Sequence, residues 1–237
     1  MSRMTDFTVP STVPGRTLHA FCCEPEGEVR AVLQLSHGMV EFIDRYKPLA
    51  EYLAGQGIVV VGHDHLGHGG SIRTKEDYGY FGEPDGNRAV LEDLHAVTTL
   101  TKQLYPGVPY FLLGHSMGSF IAREFAAAYG NSLTAVVFMG TSAGISTAMW
   151  KAERTYLNML KKAKGARAKI PSLEKIATGP YNKKFKPNRT NYDWVTSKEE
   201  EVDRFVNDPL CGFPLTVQGY IDLGTLLYAI NTDQWYR

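Results

Sequence analysis

An α/β fold with a mostly parallel sheet is what this sequence predicts, and three observations carry the prediction. Between residues 17 and 140, short β-rich runs alternate with longer amphipathic stretches, the rhythm of βα units. Three of the five runs are nearly unbroken apolar segments, which suit strands covered on both faces. After Gly140 the alternation stops and only helical patterns follow.

Residues 17–22 and 31–36 (AVLQLS) read as the first two strands, and 46–56 as a helix that Gly57 stops. Residues 58–63 (IVVVGH) form the third strand. Over 87–104, Val90, Leu94 and Val97 recur at helical spacing before Pro106 and Gly107 end the helix. The fourth strand, 110–115 (YFLLGH), runs into a turn at 114–118. From that turn a helix carries Phe120, Ile121, Phe125 and Ala126 to about Tyr129. Residues 134–140 (TAVVFMG) are the fifth strand. Beyond it, 146–164 is helical and basic, and 165–193 is rich in Lys, Pro, Asn and Gly. Residues 196–207 read as a helix with Thr196 or Ser197 as N-cap and Glu199, Glu200 and Glu201 in the first turn, where acidic groups favour the helix dipole. Residues 215–230 give a last helix. No internal repeat is present, so the chain divides into a core (1–140), a helical insertion (141–230) and a short return toward the core (231–237).

Composition narrows the function classes. With 43% hydrophobic and 21% charged residues over 237 positions, the chain is neither disordered nor fibrous. Lys+Arg and Asp+Glu are equal at 25 each, so no net field draws nucleic acid or an anionic membrane. The N-terminus lacks a signal-peptide core and no stretch approaches the roughly 20 apolar residues of a bilayer span, which makes the cytoplasm the expected compartment. Three cysteines, two of them adjacent, make neither a disulfide framework nor a metal pattern.

The chemistry-bearing residues cluster in three segments. Gly114, His115, Ser116, Met117 and Gly118 form a GxSxG sequence between an apolar strand and a helix, the context of a nucleophile elbow. A sharp strand-to-helix turn holds such a serine in strained geometry, so its flanking residues must be small, and the helix N-terminus offers free N–H groups to a developing oxyanion. Alone, the pattern is also an ordinary glycine-flanked helix start. After the second strand, His37-Gly38 begins a turn suited to the other half of an oxyanion hole, with Met117 and Met39 supplying the two backbone N–H donors; read alone, it is a turn with a capping histidine. The segment 63–71 (HDHLGHGGS) holds three histidines and an aspartate within six residues. Its glycines and the absence of an HExxH or Cys pattern favour a structural loop over a metal site.

Together these segments resemble the α/β-hydrolases of the monoacylglycerol lipase and lysophospholipase group, also labelled serine aminopeptidase-like. HGMVEFIDRY is similar to that family's HGxxEHxxRY segment, DHLGHGGS to its DHxGHGxS loop and GHSMGS to its elbow; DPLCGF resembles a motif near the end of its cap. The resemblance implies a helical cap over the active site and cofactor-free hydrolysis of lipid-type esters through an acyl-enzyme on Ser116. It also implies a cap that can touch a membrane surface transiently, and leaves oligomeric state open. By that resemblance Glu41 and Arg45 line the glycerol end of the pocket; an exposed ion pair is the other reading. Phe42 stands where the family carries histidine.

In this fold the triad runs Ser, then Asp or Glu, then His, whereas all seven histidines here precede Ser116. The expectation is therefore a chain truncated by roughly 50 residues, two βα units. Such a chain lacks the triad acid and base, is inactive by itself and leaves residues 134–140 as an apolar sheet edge. A catalytically inactive binding module and a peptidase or amidase are the alternatives.

Overall fold

The computed structural model describes residues 2–232. Six strands are built in the order β1 (Arg3–Pro10), β2 (Thr17–Glu24), β3 (Ala31–Ser36), β4 (Ile58–His63), β5 (Tyr110–His115) and β6 (Ala135–Met139). They form one sheet with spatial order β1-β2-β4-β3-β5-β6. The four strands from β4 to β6 are mutually parallel, and β2 and β1 add antiparallel at one edge. β1 has no counterpart in the sequence reading: it carries Arg3, Thr5 and Asp6 on an edge strand, so it shows neither an apolar run nor a clean alternation.

Helices α1 (Lys47–Ala54), α2 (Gly86–Leu104) and α3 (Met117–Tyr129) connect the parallel strands. Under α1, Phe21, Cys23, Leu35, Ile43, Ala50, Ala54 and Val60 form a compact apolar cluster. The larger cluster includes Val32, Val59, Val61 and Leu112 from the sheet, Val90, Leu94 and Val97 from α2, and Ile121 and Phe125 from α3. Buried Gln34 within AVLQLS is hydrogen-bonded at both ends of its amide. Gln34 donates to the Leu94 carbonyl at 3.0 Å and accepts from the hydroxyls of Thr98 at 2.6 Å and Tyr110 at 2.8 Å, which removes the penalty of burying its amide.

After β6 the described chain is helical, with α4 (Thr147–Lys164), α5 (Pro171–Ala177), α6 (Gly179–Asn182), α7 (Glu199–Asn207) and α8 (Val217–Ala229). The return segment expected at 231–237 lies outside the described residues beyond Thr232. The stretch 165–193 contains α5 and α6, each with a proline in its first turn, where the missing N–H costs nothing. One local expectation is corrected. The N-cap of α7 is Lys198, not Thr196 or Ser197; the Thr196 hydroxyl instead accepts from the Lys198 N–H at 3.3 Å. β6 is an outer strand of the sheet, and its apolar run is not covered on both faces: Val137 is 49% exposed and Met139 44%. Among the described residues no helix is long and apolar enough to cross a membrane.

Candidate active site

Ser116 sits where β5 hands over to α3, with φ 51° and ψ −118°. A positive φ is strained for a residue with a Cβ, at a cost on the order of 1–3 kcal/mol that neighbouring contacts must hold in place. Its N–H donates to the Met139 carbonyl at 2.9 Å, and its own carbonyl accepts from the Ser119 N–H at 2.9 Å and the Ser119 hydroxyl at 2.6 Å. Gly118 explains why the elbow needs a glycine. A Cβ there would overlap the backbone carbonyls of Ser36 and His37, the point where β3 enters the next loop. Met117 is the first residue of α3, so its N–H belongs to the helix's unpaired first turn.

The loop after β3 lies against this turn. A Cβ placed on Gly38 would stand 3.3 Å from Ser116 Cβ and 3.2 Å from His115 Nδ1. Val40, two residues on, also has φ 51°. Its N–H donates to His68 Nε2 at 3.1 Å and its carbonyl accepts from the Gly212 N–H at 2.9 Å. Met39 is the half-buried residue between these two anchored positions.

The segment His63–Ser71 braces that loop, in line with the structural reading. Asp64 accepts from the N–H groups of Ile43 and Gly70, both at 2.7 Å. His68 donates from Nδ1 to the Leu66 carbonyl at 3.1 Å, which leaves Nε2 as an acceptor for Val40. His37 likewise donates from Nδ1 to the Gly38 carbonyl at 2.8 Å and accepts the His65 N–H on Nε2 at 3.0 Å. Each ring is thus fixed in one neutral tautomer by the bonds it makes. Burial pushes the pKa of His37 down to about 3 and those of His63 and His68 to about 4, and holds His65 well below its ordinary value.

Glu41 and Arg45 are brought close to the elbow, but not as an exposed pair. Glu41 is 7% exposed. Its Oε1 accepts from the Gly38 N–H at 2.6 Å and the Tyr46 hydroxyl at 3.0 Å, and lies 3.0 Å from His115 Nδ1. Burial alone would raise its pKa; the hydrogen bond to His115 and the nearby positive charge of Arg45 overcome it and leave the carboxyl at about 2. Arg45 places Nε 3.7 Å from Glu41 Oε2, approaches Cys211 Sγ at 3.5 Å, and lies over the Phe205 ring at 4.8 Å. Tyr46, His115 and Cys211 were not singled out by sequence reasoning; the only signal was their place inside the three motif segments and the DPLCGF segment. Elsewhere Asp6, His19 and Asp44 converge within 4.8 Å, but Lys47 Nζ stands 3.0 Å from Asp6 and 2.9 Å from Asp44 and supplies their positive charge.

Comparison with known proteins bears on the family and the fold. The sequence model of the family described as "Serine aminopeptidase, S33" matches residues 27–234. Human monoglyceride lipase is 37% identical over 129 residues, half of this chain and 38% of its own length. A monoglyceride lipase homolog of Monkeypox virus is 42% identical over 113 residues, again 38% of its length. The chain's matches thus span well under half the length of these curated relatives. Among solved structures, a thermostable carboxyl esterase from Bacillus coagulans, crystallised with glycerol, superposes with a TM-score of 0.86 at 24% identity, covering 98% of this chain and 74% of that one. A monoglyceride lipase from Saccharomyces cerevisiae gives 0.65 at 19% identity, covering 94% and 67%. At such identities these two structures establish the α/β-hydrolase fold.

Proposed function

The chain belongs to the serine aminopeptidase, S33, family of α/β-hydrolases, and we propose that it carries the nucleophile and oxyanion hole of a hydrolase of lipid-type carboxylic esters. The observation that carries the proposal is Ser116 at φ 51° on the strand-to-helix turn, with the Gly38 loop packed against it. In this reading Ser116 Oγ attacks the ester carbonyl, and the N–H groups of Met39 and Met117 take the negative charge of the tetrahedral intermediate. Collapse expels the alcohol and leaves an acyl-enzyme, which water hydrolyses. The relatives named as monoglyceride lipases, and a Bacillus subtilis phospholipase 28% identical over 194 residues, support a lipid ester as substrate over a peptide.

The proposal assigns the general base and its carboxylate to no described residue. His37, His63, His65 and His68 are wholly buried. His95 stacks on Tyr129 with ring centroids 3.8 Å apart, His19 pairs with Asp44 at 3.2 Å, and His115 turns Nδ1 toward Glu41. A serine without a base retains only the part of catalysis that the oxyanion hole and binding provide, about 10³–10⁴ over water, so residues 1–237 alone are expected to be nearly inactive. The helices from 141 to 230 serve in this proposal as the cap over an acyl-binding pocket, and their outer face is the part that would meet a membrane surface.

The test is reaction with an alkyl fluorophosphonate, read by mass spectrometry beside ester hydrolysis, of a longer chain that continues residues 1–237 with the expected triad acid and base. Adduct on Ser116, and loss of both adduct and base-dependent hydrolysis in Ser116→Ala, is the expected result. Wild-type hydrolysis in Ser116→Ala refutes the assignment.

A further inference from the structure

We infer that Glu41 is a positioning residue: its carboxylate is the buried joint that fixes the oxyanion loop to the residue preceding the nucleophile. The inference rests on the proposed role of the Met39 N–H, and goes beyond it by naming what holds that group in place.

The hydrogen bonds of the carboxylate show what it joins. Oε1 already takes the Gly38 N–H at 2.6 Å and the Tyr46 hydroxyl at 3.0 Å, with His115 Nδ1 at 3.0 Å, and Oε2 faces Arg45 Nε at 3.7 Å. Tyr46 and His115 also meet each other, at 2.9 Å, so the three side chains close a ring. The hydrogen bonds of the carboxylate all fall on Oε1, which is thereby committed to the Gly38 loop and to the elbow, and the residue as a whole is 7% exposed.

What the joint accomplishes follows from backbone freedom. Gly38 has no Cβ, and none would fit, since it would stand 2.6 Å from Glu41 Oε1 and 3.3 Å from Ser116 Cβ. A glycine in a loop can rotate its flanking peptide planes at little cost. The plane before Gly38 is held by the bond from its N–H to Glu41. Past Met39, the plane at Val40 is held by His68 Nε2 and the Val40 carbonyl by the Gly212 N–H. The plane that carries the Met39 N–H lies between these two anchors and is itself held at the Gly38 carbonyl, which accepts from His37 Nδ1 at 2.8 Å. Glu41 thus fixes one side of the oxyanion donor, and through His115 it fixes the donor's position relative to Ser116, since His115 and Ser116 are consecutive.

The test is backbone-amide hydrogen exchange on the whole chain without substrate, comparing wild type, Glu41→Ala and Glu41→Gln. Glu41→Ala is expected to speed exchange at Gly38 by roughly tenfold or more, the factor for a charge-assisted hydrogen bond, while Leu113 in β5 keeps its rate. Glu41→Gln, which retains an acceptor oxygen, should restore most of the protection. If Glu41→Ala loses protection at Leu113 as well, Glu41→Asp decides: its carboxylate is one methylene short, and Gly38 alone should exchange faster. Unchanged exchange at Gly38 in the folded variants overturns the inference. Where ester turnover is measurable, Glu41→Ala should lower kcat by an equal factor on a glycerol ester and a simple acetate ester with KM preserved. A loss confined to KM for the glycerol ester overturns the inference in favour of head-group binding. Absence of turnover in the wild-type chain bears on the hydrolase reading alone, because exchange is read without chemistry.

Discussion

Replacing His68 by Gln isolates what a buried neutral histidine does to acid stability. The His68 ring accepts the Val40 N–H on Nε2 and donates from Nδ1 to the Leu66 carbonyl, and a glutamine side chain offers one acceptor and one donor for the same two partners. Glutamine, however, does not titrate. The folded-state pKa of His68 is lowered by burial to about 4 from the ordinary 6.5. As pH falls below 6.5 the unfolded chain takes up a proton that the folded chain refuses, so stability falls with pH until the folded pKa near 4 is reached. At pH 5 that linkage amounts to about 2 kcal/mol. Buried Asp64 and Asp222, raised to about 6 and about 7, act in the opposite direction, but they are common to both proteins and cancel in the comparison. Urea unfolding at pH 7.5 and pH 5 is the assay. Between those values the wild type should lose about 2 kcal/mol more than His68→Gln. Parallel pH dependences would refute the claim that burial holds His68 neutral.

Gly118→Ala forces a Cβ into the carbonyls of Ser36 and His37 and should cost about 1–3 kcal/mol, seen as a Tm lowered by about 2–4 °C for each kcal/mol in a chain of this size; an unchanged Tm counts against the close packing of the elbow on β3. Val137→Lys with Met139→Lys puts charge on the exposed residues of outer strand β6 and should reduce self-association in light scattering at matched concentration; equal scattering would show that this strand is not a sticky edge. Leu226, buried on α8, should cost about 2–5 kcal/mol on replacement by Ala, and any ester turnover should fall equally for long-chain and acetate substrates; a selective long-chain loss would place Leu226 in the acyl pocket.

The elements written as local patterns were legible in the sequence. The apolar runs of β3, β4 and β5, the helical spacing of α2 and the elbow at Gly114 to Gly118 each depend on neighbours within a few positions, and each appears in the structure within a residue or two. Strand order is a different matter: β1 joins the sheet through β2 although its own sequence is mixed, whereas the outer place of β6 is the one expected for residues 134–140. Burial divides apolar residues that composition alone does not distinguish. In the helices after β6, Leu157, Leu226 and Ile230 pack inside, while Met149 is 62% exposed and Tyr156 45%, because α8 covers only one side of α4. The sequence by itself determined the fold class, the family and the place of Ser116, since those are carried by contiguous residues and their periodicity. Only the tertiary structure decided what Glu41 and the histidines do. The hydrogen-bond partners of Glu41 lie 3, 5 and 74 positions away, and His37 and His68 each take one of their two partners from 28 positions away. A carboxylate or an imidazole takes its charge and tautomer from the groups that folding places around it, and no local pattern records those groups.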